Sequence, residues 1–347
     1  MKKAVITGVL LSLLLLMFTS CDINPQPKSE TYYEYFGTVS SVICYREDTE
    51  AEFRRVADKV DTLLSEYHTL YDIYHEYSGI NNIATVNRYA GIMPVEVDDR
   101  IIDLLLYAKE VYELTSGEVN VAMGSVLKLW HEAREGNGDG THTLPTDEEL
   151  IEASLHTDIC SILIDEAAGT VFVTDRDASI DVGAIAKGYA TERIAEALVA
   201  DEEIEADGYA LNIGGNIRLI GSKGGEEWRI GITNPDRTSD DPYVMRISVK
   251  NTSIVTSGDY ERYFTVDGKN YHHIIDKDTL YPSKYFHSVT VVTEDSALAD
   301  ALSTALFSMH INDGYKLITS LDGVEAMWVN ANGAPPTTTP GFPKIED

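Results

Sequence analysis

The sequence predicts an α+β fold of mixed, largely antiparallel sheets with packed helices, and three observations predict it. Strand patterns cluster between Tyr209 and Ile275 instead of alternating singly with helices, as a doubly wound parallel sheet would require. Apolar residues at helical spacing recur in separate blocks before and after that cluster. Asp267-Gly268, set between two strand patterns, is a hairpin turn signal. With 44% apolar residues in 347, the chain can bury a substantial core, and its three cysteines are too few for a disulfide framework, so packing must hold it together.

The elements follow in order. Lys2 and Lys3, the apolar run Val9 to Phe18, and small Thr19-Ser20 before Cys21 read as a lipoprotein signal peptide over residues 1–20. The apolar run is too short for an ordinary membrane span. An acylated Cys21 would tether the chain to the extracytoplasmic side of a bacterial envelope membrane. Phe18 stands where a lipobox usually has Leu, which leaves a simple secreted protein or an uncleaved anchor as alternatives. Residues 21–34, with two prolines, read as a tether. Gly37 to Tyr45 reads as a strand. Thr49 with Glu52 makes a capping box for a helix carrying Phe53, Val56, Val60, Leu63, Leu64 and Tyr67 on one stripe. A second helix fits Asp99 to Leu114. The glycine-rich stretch 135–141 is a loop, and Thr146 with Glu149 caps a short helix. Strands fit Cys160 to Asp165 and Thr170 to Thr174, and a helix fits Ala184 to Ala200. The β-rich part contains Tyr209 to Leu219, Trp228 to Ile232, Tyr243 to Val249, Glu261 to Val266 and Tyr271 to Ile275. A strand Ser288 to Thr293, helices Ser296 to Met309 and Gly314 to Ser320, and a strand Ala326 to Asn330 complete a unit over 35–332. The proline-rich residues 333–347 read as a disordered tail. Cys44 and Cys160 both fall in strand-like apolar runs and read as buried thiols.

Charge narrows function. With 27 Lys+Arg against 57 Asp+Glu, the net charge of −30 excludes a protein that tracks nucleic-acid phosphates. Four segments carry residues suited to chemistry. In Ile180-Asp-Val-Gly-Ala-Ile-Ala-Lys-Gly-Tyr-Ala190 a strand end, a glycine turn and a helix start bring Lys187 near free backbone N–H groups. That suits a phosphate or pyrophosphate, or else an ordinary strand-to-helix turn. Gly214-Gly215 inside a β pattern marks either a bulge or a ligand lying against the backbone. His272 and His273 should face opposite sides of a strand, so one is structural and the other a candidate general base. Asp300 and Thr304, at i and i+4 on a helix, offer hard oxygens to Mg²⁺ or are simply polar residues on an apolar helix.

Together these segments resemble the ApbE family of flavin transferases. The resemblance spans about Tyr35 to Asn330 and rests on Phe36-Gly-Thr38, Thr115-Ser-Gly117 through Gly124 to Leu129-Trp130, Asp181 to Tyr189, Asn212-Ile-Gly-Gly215, Thr256-Ser-Gly-Asp259, His273-Ile-Ile-Asp276 and Ala299-Asp-Ala-Leu-Ser-Thr304. It implies an ApbE-like (T-fold-like) architecture and Mg²⁺-dependent transfer of FMN from FAD to a Thr or Ser hydroxyl of an acceptor flavoprotein, with release of AMP. It also implies Mg²⁺ on Asp300, Thr304 and the Ala184 carbonyl. FAD contacts are implied at Phe36, Tyr77, Glu118, Val119, Asn120, Asp181, Lys187 and Ile274, with His273 catalytic. Asn120 stands where many members have Asp, and Ser303 where some have a second acidic residue. Lys277 and Leu280 interrupt the usual Asp-Pro-x-Thr-Gly. An FAD pyrophosphatase releasing FMN and AMP, a flavin-binding lipoprotein without turnover, and a transporter's substrate-binding lipoprotein are the competing functions. The resemblance implies that Tyr77, at the adenine end, favours transfer over hydrolysis.

Overall fold

In a computed structural model, residues 27–46, 48–138 and 140–345 are described; the expected leader, Cys21 and the first part of the expected tether lie outside them. The described chain opens with strands β1 (Lys28–Tyr32) and β2 (Ser40–Cys44), then helices α1 (Glu50–Tyr71) and α2 (Ile83–Arg88), the short strand β3 (Val95–Glu96), and helices α3 (Asp99–Leu114), α4 (Gly124–Glu135) and α5 (Asp147–Ser154). Strands β4 (Ile162–Asp165) and β5 (Thr170–Val173) lead into helix α6 (Ala186–Val199). The β-rich part comprises β6 (Tyr209–Ile213), β7 (Asn216–Ile220), β8 (Trp228–Thr233), β9 (Tyr243–Val249), β10 (Ser253–Gly258), β11 (Tyr263–Val266) and β12 (Lys269–His272). Then come β13 (Phe286–Thr293), helices α7 (Ser296–Ser308) and α8 (Ile311–Thr319), β14 (Glu325–Asn330) and β15 (Thr337–Thr338).

An eight-stranded sheet in the order β1-β2-β6-β7-β10-β13-β14-β15 is the backbone of the fold, and its neighbours pair antiparallel. The expected α+β class therefore holds. Alternation along the strands gives the sheet two apolar faces. Leu211, Ile213 and Ile220 face α1, α3 and α6, while Val255, Val289 and Val291 face α7 and α8. On the opposite face Ala210, Leu219, Ile254, Val292 and Met327 meet the separate β8–β9 ribbon and Phe342. The β11–β12 hairpin packs elsewhere: Phe264 and Tyr271 lie against Trp130 and Val126 of α4. Capping boxes at Thr49/Glu52 and Thr146/Glu149 are both formed as the sequence pattern predicts.

Five expectations are corrected. The tether expected through residue 34 gives way to edge strand β1, whose Tyr32 is buried and donates to the Ala57 carbonyl at 2.8 Å. The single strand expected over Tyr209 to Leu219 is a hairpin. Its register pairs Ile213 with Asn216, and Gly214 and Gly215 (φ 57° and 93°) form the turn, a pairing that suits type I′ geometry. Neither a bulge nor a ligand is needed to explain them; instead Gly214 lies against Thr38, where an added Cβ would come within 2.6 Å of Oγ1. Cys160 is exposed because it sits in a 3-10 turn before β4, while Cys44 is buried. Strand β12 ends at His272, so His273 lies just beyond it. Finally, the tail expected to be disordered adds β15 to the sheet edge. Thr339 bonds both ways with Ala326, and Phe342 is buried on the β8–β9 side.

Removing residues after Gly333 strips this strap and uncovers Met327. Truncation there should lower stability by about 2–4 kcal/mol, measured as a drop in thermal midpoint; an unchanged midpoint would show the strap to be dispensable.

Candidate active site

Helices α6 and α7 approach most closely at Gly188, where a Cβ would lie 2.3 Å from the Cβ of Asp300. Gly188 is the third residue of α6, so its N–H has no acceptor within the helix, and it donates instead to Asp300 Oδ2 at 2.7 Å. Lys187 Nζ stands 3.8 Å from the same oxygen. Among the described residues, nothing donates to Asp300 Oδ1 or to the Ala184 carbonyl. Asp300 is buried, and burial pushes its carboxyl above the usual range while Lys187 and the Gly188 N–H oppose the rise. One turn along α7, Thr304 Oγ1 is 3.5 Å from Ser257 Oγ at the end of β10, and Ser257 also meets Ser303 Oγ at 2.8 Å. Ser303 is buried and donates to the Asp300 carbonyl at 3.0 Å, a structural role. A carboxylate oxygen, a hydroxyl and a backbone carbonyl that accepts no hydrogen bond among the described residues are hard oxygens of the kind Mg²⁺ takes.

The two histidines have different surroundings. His272 is buried, its Nε2 lies 2.8 Å from the Ser283 carbonyl, and its ring meets Phe307 edge-on. His273 is half-buried, with Nδ1 3.2 Å from the Arg262 carbonyl. A carbonyl only accepts, so Nδ1 carries the proton and the Nε2 lone pair is left free. Burial first, and then the positive charges of Arg262 and Lys187, push the imidazole down to about 3. At neutral pH His273 is thus an uncharged base. Arg262 also reaches across the fold: its Nη2 lies 3.4 Å from the Phe36 carbonyl and 3.5 Å from that of Gly37. Phe36 has φ 54°, a left-handed conformation costly for a bulky residue, and is held there by its N–H bond to His68 Nδ1 at 3.3 Å.

A third group gathers around Asp181. Its N–H donates to the Val121 carbonyl at 2.8 Å, which joins the Asp181 segment to Glu118, Val119 and Asn120. Its Oδ1 accepts from Gly183 N–H at 2.8 Å, and Oδ2 lies 3.9 Å from His131 Nε2. His131 Nδ1 in turn meets the Tyr74 hydroxyl at 2.9 Å. Asn120 is satisfied by Ala122 and Thr157, and Val119 is buried. Beside them opens a pocket of about 410 Å³ lined by Ser116, Gly117, Asn120 and Lys277 among others.

Lys187, Asp300 and Thr304 therefore assemble as one group, with Ala184 on the turn just before α6. Phe36 joins His273 through Arg262, and Glu118, Val119 and Asn120 join Asp181 through Val121. The field of Lys187 on His273 connects the first two groups. Ile274 is buried behind His273, its N–H on His272 Nδ1 at 3.3 Å. Among the described residues Tyr77 makes no direct hydrogen bond to the others; its hydroxyl donates to Asp72 at 2.9 Å, and the other oxygen of Asp72 accepts from the Tyr74 N–H at 2.7 Å. Arg262, His131 and Tyr74 escaped the sequence reading. The Arg262 contact spans 226 residues and leaves no local pattern, whereas Gly188, a glycine inside a helix, was a readable sign of close packing.

The FAD:protein FMN transferase of Treponema pallidum is 32% identical over 308 residues, covering 84% of this chain and 82% of its own. That of Klebsiella pneumoniae is 30% identical, covering 80% and 83%. The crystal structure of the ApbE protein of Thermotoga maritima superposes with a TM-score of 0.78 at 32% identity, covering 91% of this chain and 98% of its own. The scaffold is that of an enzyme of the transferase class. The ApbE family model matches residues 36–328, and the chain belongs to that family.

Gly188→Ala should cost about 1–3 kcal/mol or more by forcing α6 from α7, read by chemical denaturation; parental stability in that variant would contradict the close approach. In NMR titration the His273 ring should show no protonation between pH 8 and 5, and a midpoint near the ordinary histidine value would overturn its assignment as a neutral base.

Proposed function

We propose that this chain transfers FMN from FAD to a Thr or Ser hydroxyl of an acceptor flavoprotein, with AMP as the leaving group. The observation that carries the reading is a neutral His273 with a free Nε2, electrostatically coupled to Lys187, which sits on the Asp300 carboxylate. Asp300, Thr304 and the Ala184 carbonyl would hold Mg²⁺. Bound there, the ion supplies neutralisation of the pyrophosphate charge as the phosphorus is attacked.

The chain's own residues account for the remainder. His273 Nε2 takes the proton of the acceptor hydroxyl as its oxygen bonds to the FMN phosphorus. The bond from that phosphorus to the bridging oxygen breaks, and AMP departs with the electron pair. Lys187, anchored by Asp300, offers a positive charge to the phosphates, and the positive end of the α6 dipole adds to it. Phe36, Glu118, Val119, Asn120, Asp181 and Ile274 would contact the dinucleotide, with Tyr77 toward the adenine. Lipidation at Cys21 would keep the enzyme on the extracytoplasmic side of a bacterial membrane, where an exported or membrane flavoprotein would be the acceptor.

The test is to incubate the chain with FAD, Mg²⁺ and an acceptor protein, then measure covalent flavin by mass together with AMP. AMP and free FMN without an adduct would identify a hydrolase instead, and bound FAD without AMP a binding protein. Asp300→Ala should abolish turnover. His273→Ala should slow transfer by about 10²-fold or more while changing FAD affinity by less than about threefold; equal losses in both would make His273 a binding residue.

A further inference from the structure

The loop Asp276 to Tyr281 departs from its family pattern at Lys277 and Leu280, and the function above uses neither. The loop is tightly closed. Asp276 Oδ1 accepts from the N–H groups of Asp278 and Thr279 at 2.9 Å each, the Asp276 N–H donates to the Tyr281 carbonyl at 2.9 Å, and the Leu280 N–H donates to the Asp276 carbonyl at 2.8 Å. Leu280 takes φ 61°, and Trp130 Nε1 holds its carbonyl at 2.9 Å. From this frame Lys277 Nζ reaches Glu118 Oε1 at 3.4 Å and Asp278 Oδ1 at 2.9 Å.

The two carboxylates differ in surroundings. Asp278 is 78% exposed and has solvent, whereas the Glu118 side chain is 15% exposed and Lys277 is its one partner among the described residues. Glu118 lies between Gly117 and Asn120, which line the 410 Å³ pocket together with Lys277 itself. An ion pair of this kind adds little to stability when solvated, so its use lies in orientation.

We propose that Lys277, which lines the pocket, is a positioning residue of the FAD site: it fixes the Glu118 carboxylate beside that pocket as a hydrogen-bond acceptor for N–H or O–H groups of the dinucleotide. An ionised carboxylate offers only acceptors, while a protonated one surrenders an oxygen to its own proton. Burial pushes the Glu118 carboxyl up, as do the charges of Asp278 and Asp276, and Lys277 is what opposes them. Without Lys277 the neutral form gains ground, and the ionised acceptor is lost at a higher pH as the solution is acidified.

This inference rests on the function proposed above, and the experiment separates the two. FAD binding is followed by flavin fluorescence with Mg²⁺ present, for the full chain and for Lys277→Met, Lys277→Arg, Glu118→Gln and the Lys277→Met/Glu118→Gln double variant. Lys277→Met should weaken FAD about fivefold at neutral pH, and its affinity should fall at higher pH than the parent's on acidification. Lys277→Arg should restore most of the loss, and the Lys277→Met effect should vanish in the Glu118→Gln background. A parent that binds FAD but shows additive variants, or an unaltered Lys277→Met, overturns the role of Lys277 alone. A parent that takes up no FAD overturns the proposed function and this inference with it.

Discussion

The hydrogen bond from Gly188 to Asp300 is the constraint on which the rest of the site depends. Burying a carboxylate is expensive unless donors meet it. Here one donor is a backbone N–H that only a residue without a side chain could bring so near, and the other is the lysine immediately before it in sequence. A single packing contact thus gives a first-turn N–H of α6 its acceptor and the buried carboxylate of α7 its donor, and the sheet beneath α6 and α7 carries both helices.

The positive charge at the centre acts locally. In a chain of net charge −30 the field over most of the surface repels anions. Lys187 and Arg262 are set on either partner of His273's surroundings, one tied to Asp300 and the other resting on the carbonyls of Phe36 and Gly37. Burial first, and then these two charges, keep His273 unprotonated, and a backbone carbonyl selects its tautomer, with no carboxylate paired to the ring among the described residues.

Features encoded within a few residues were legible before the structure. The caps at Thr49 and Thr146, the helical stripes of α1 and α3, and the pairing of Asp300 with Thr304 on one helix face all depend on local spacing. What escaped depends on distant partners. Nothing in Lys-Ser-Glu-Thr-Tyr32 marks a strand until β2 is beside it, and the proline-rich terminus is ordered because Ala326 and the β8–β9 ribbon receive it. Gly214-Gly215 pointed to a bulge or a ligand against the strand, and only the pairing register shows them to be a hairpin turn. Similarly, Arg262 carries no motif because its partners are the strained turn at Phe36 and the residue just past β12.

Edge strand β1 has a geometric consequence for any lipid at Cys21. It begins at Lys28, so six residues, spanned in seven residue-to-residue steps, separate the anchoring position from the sheet. Fully stretched, such a leash spans at most about 25 Å. The catalytic body would then be pressed against the bilayer and not swung out from it, and its search for an acceptor would be confined to a thin layer, closer to two dimensions than three. Proteins that display their modifiable hydroxyl near the membrane surface would be met often, and those that lift it well above the bilayer would be missed.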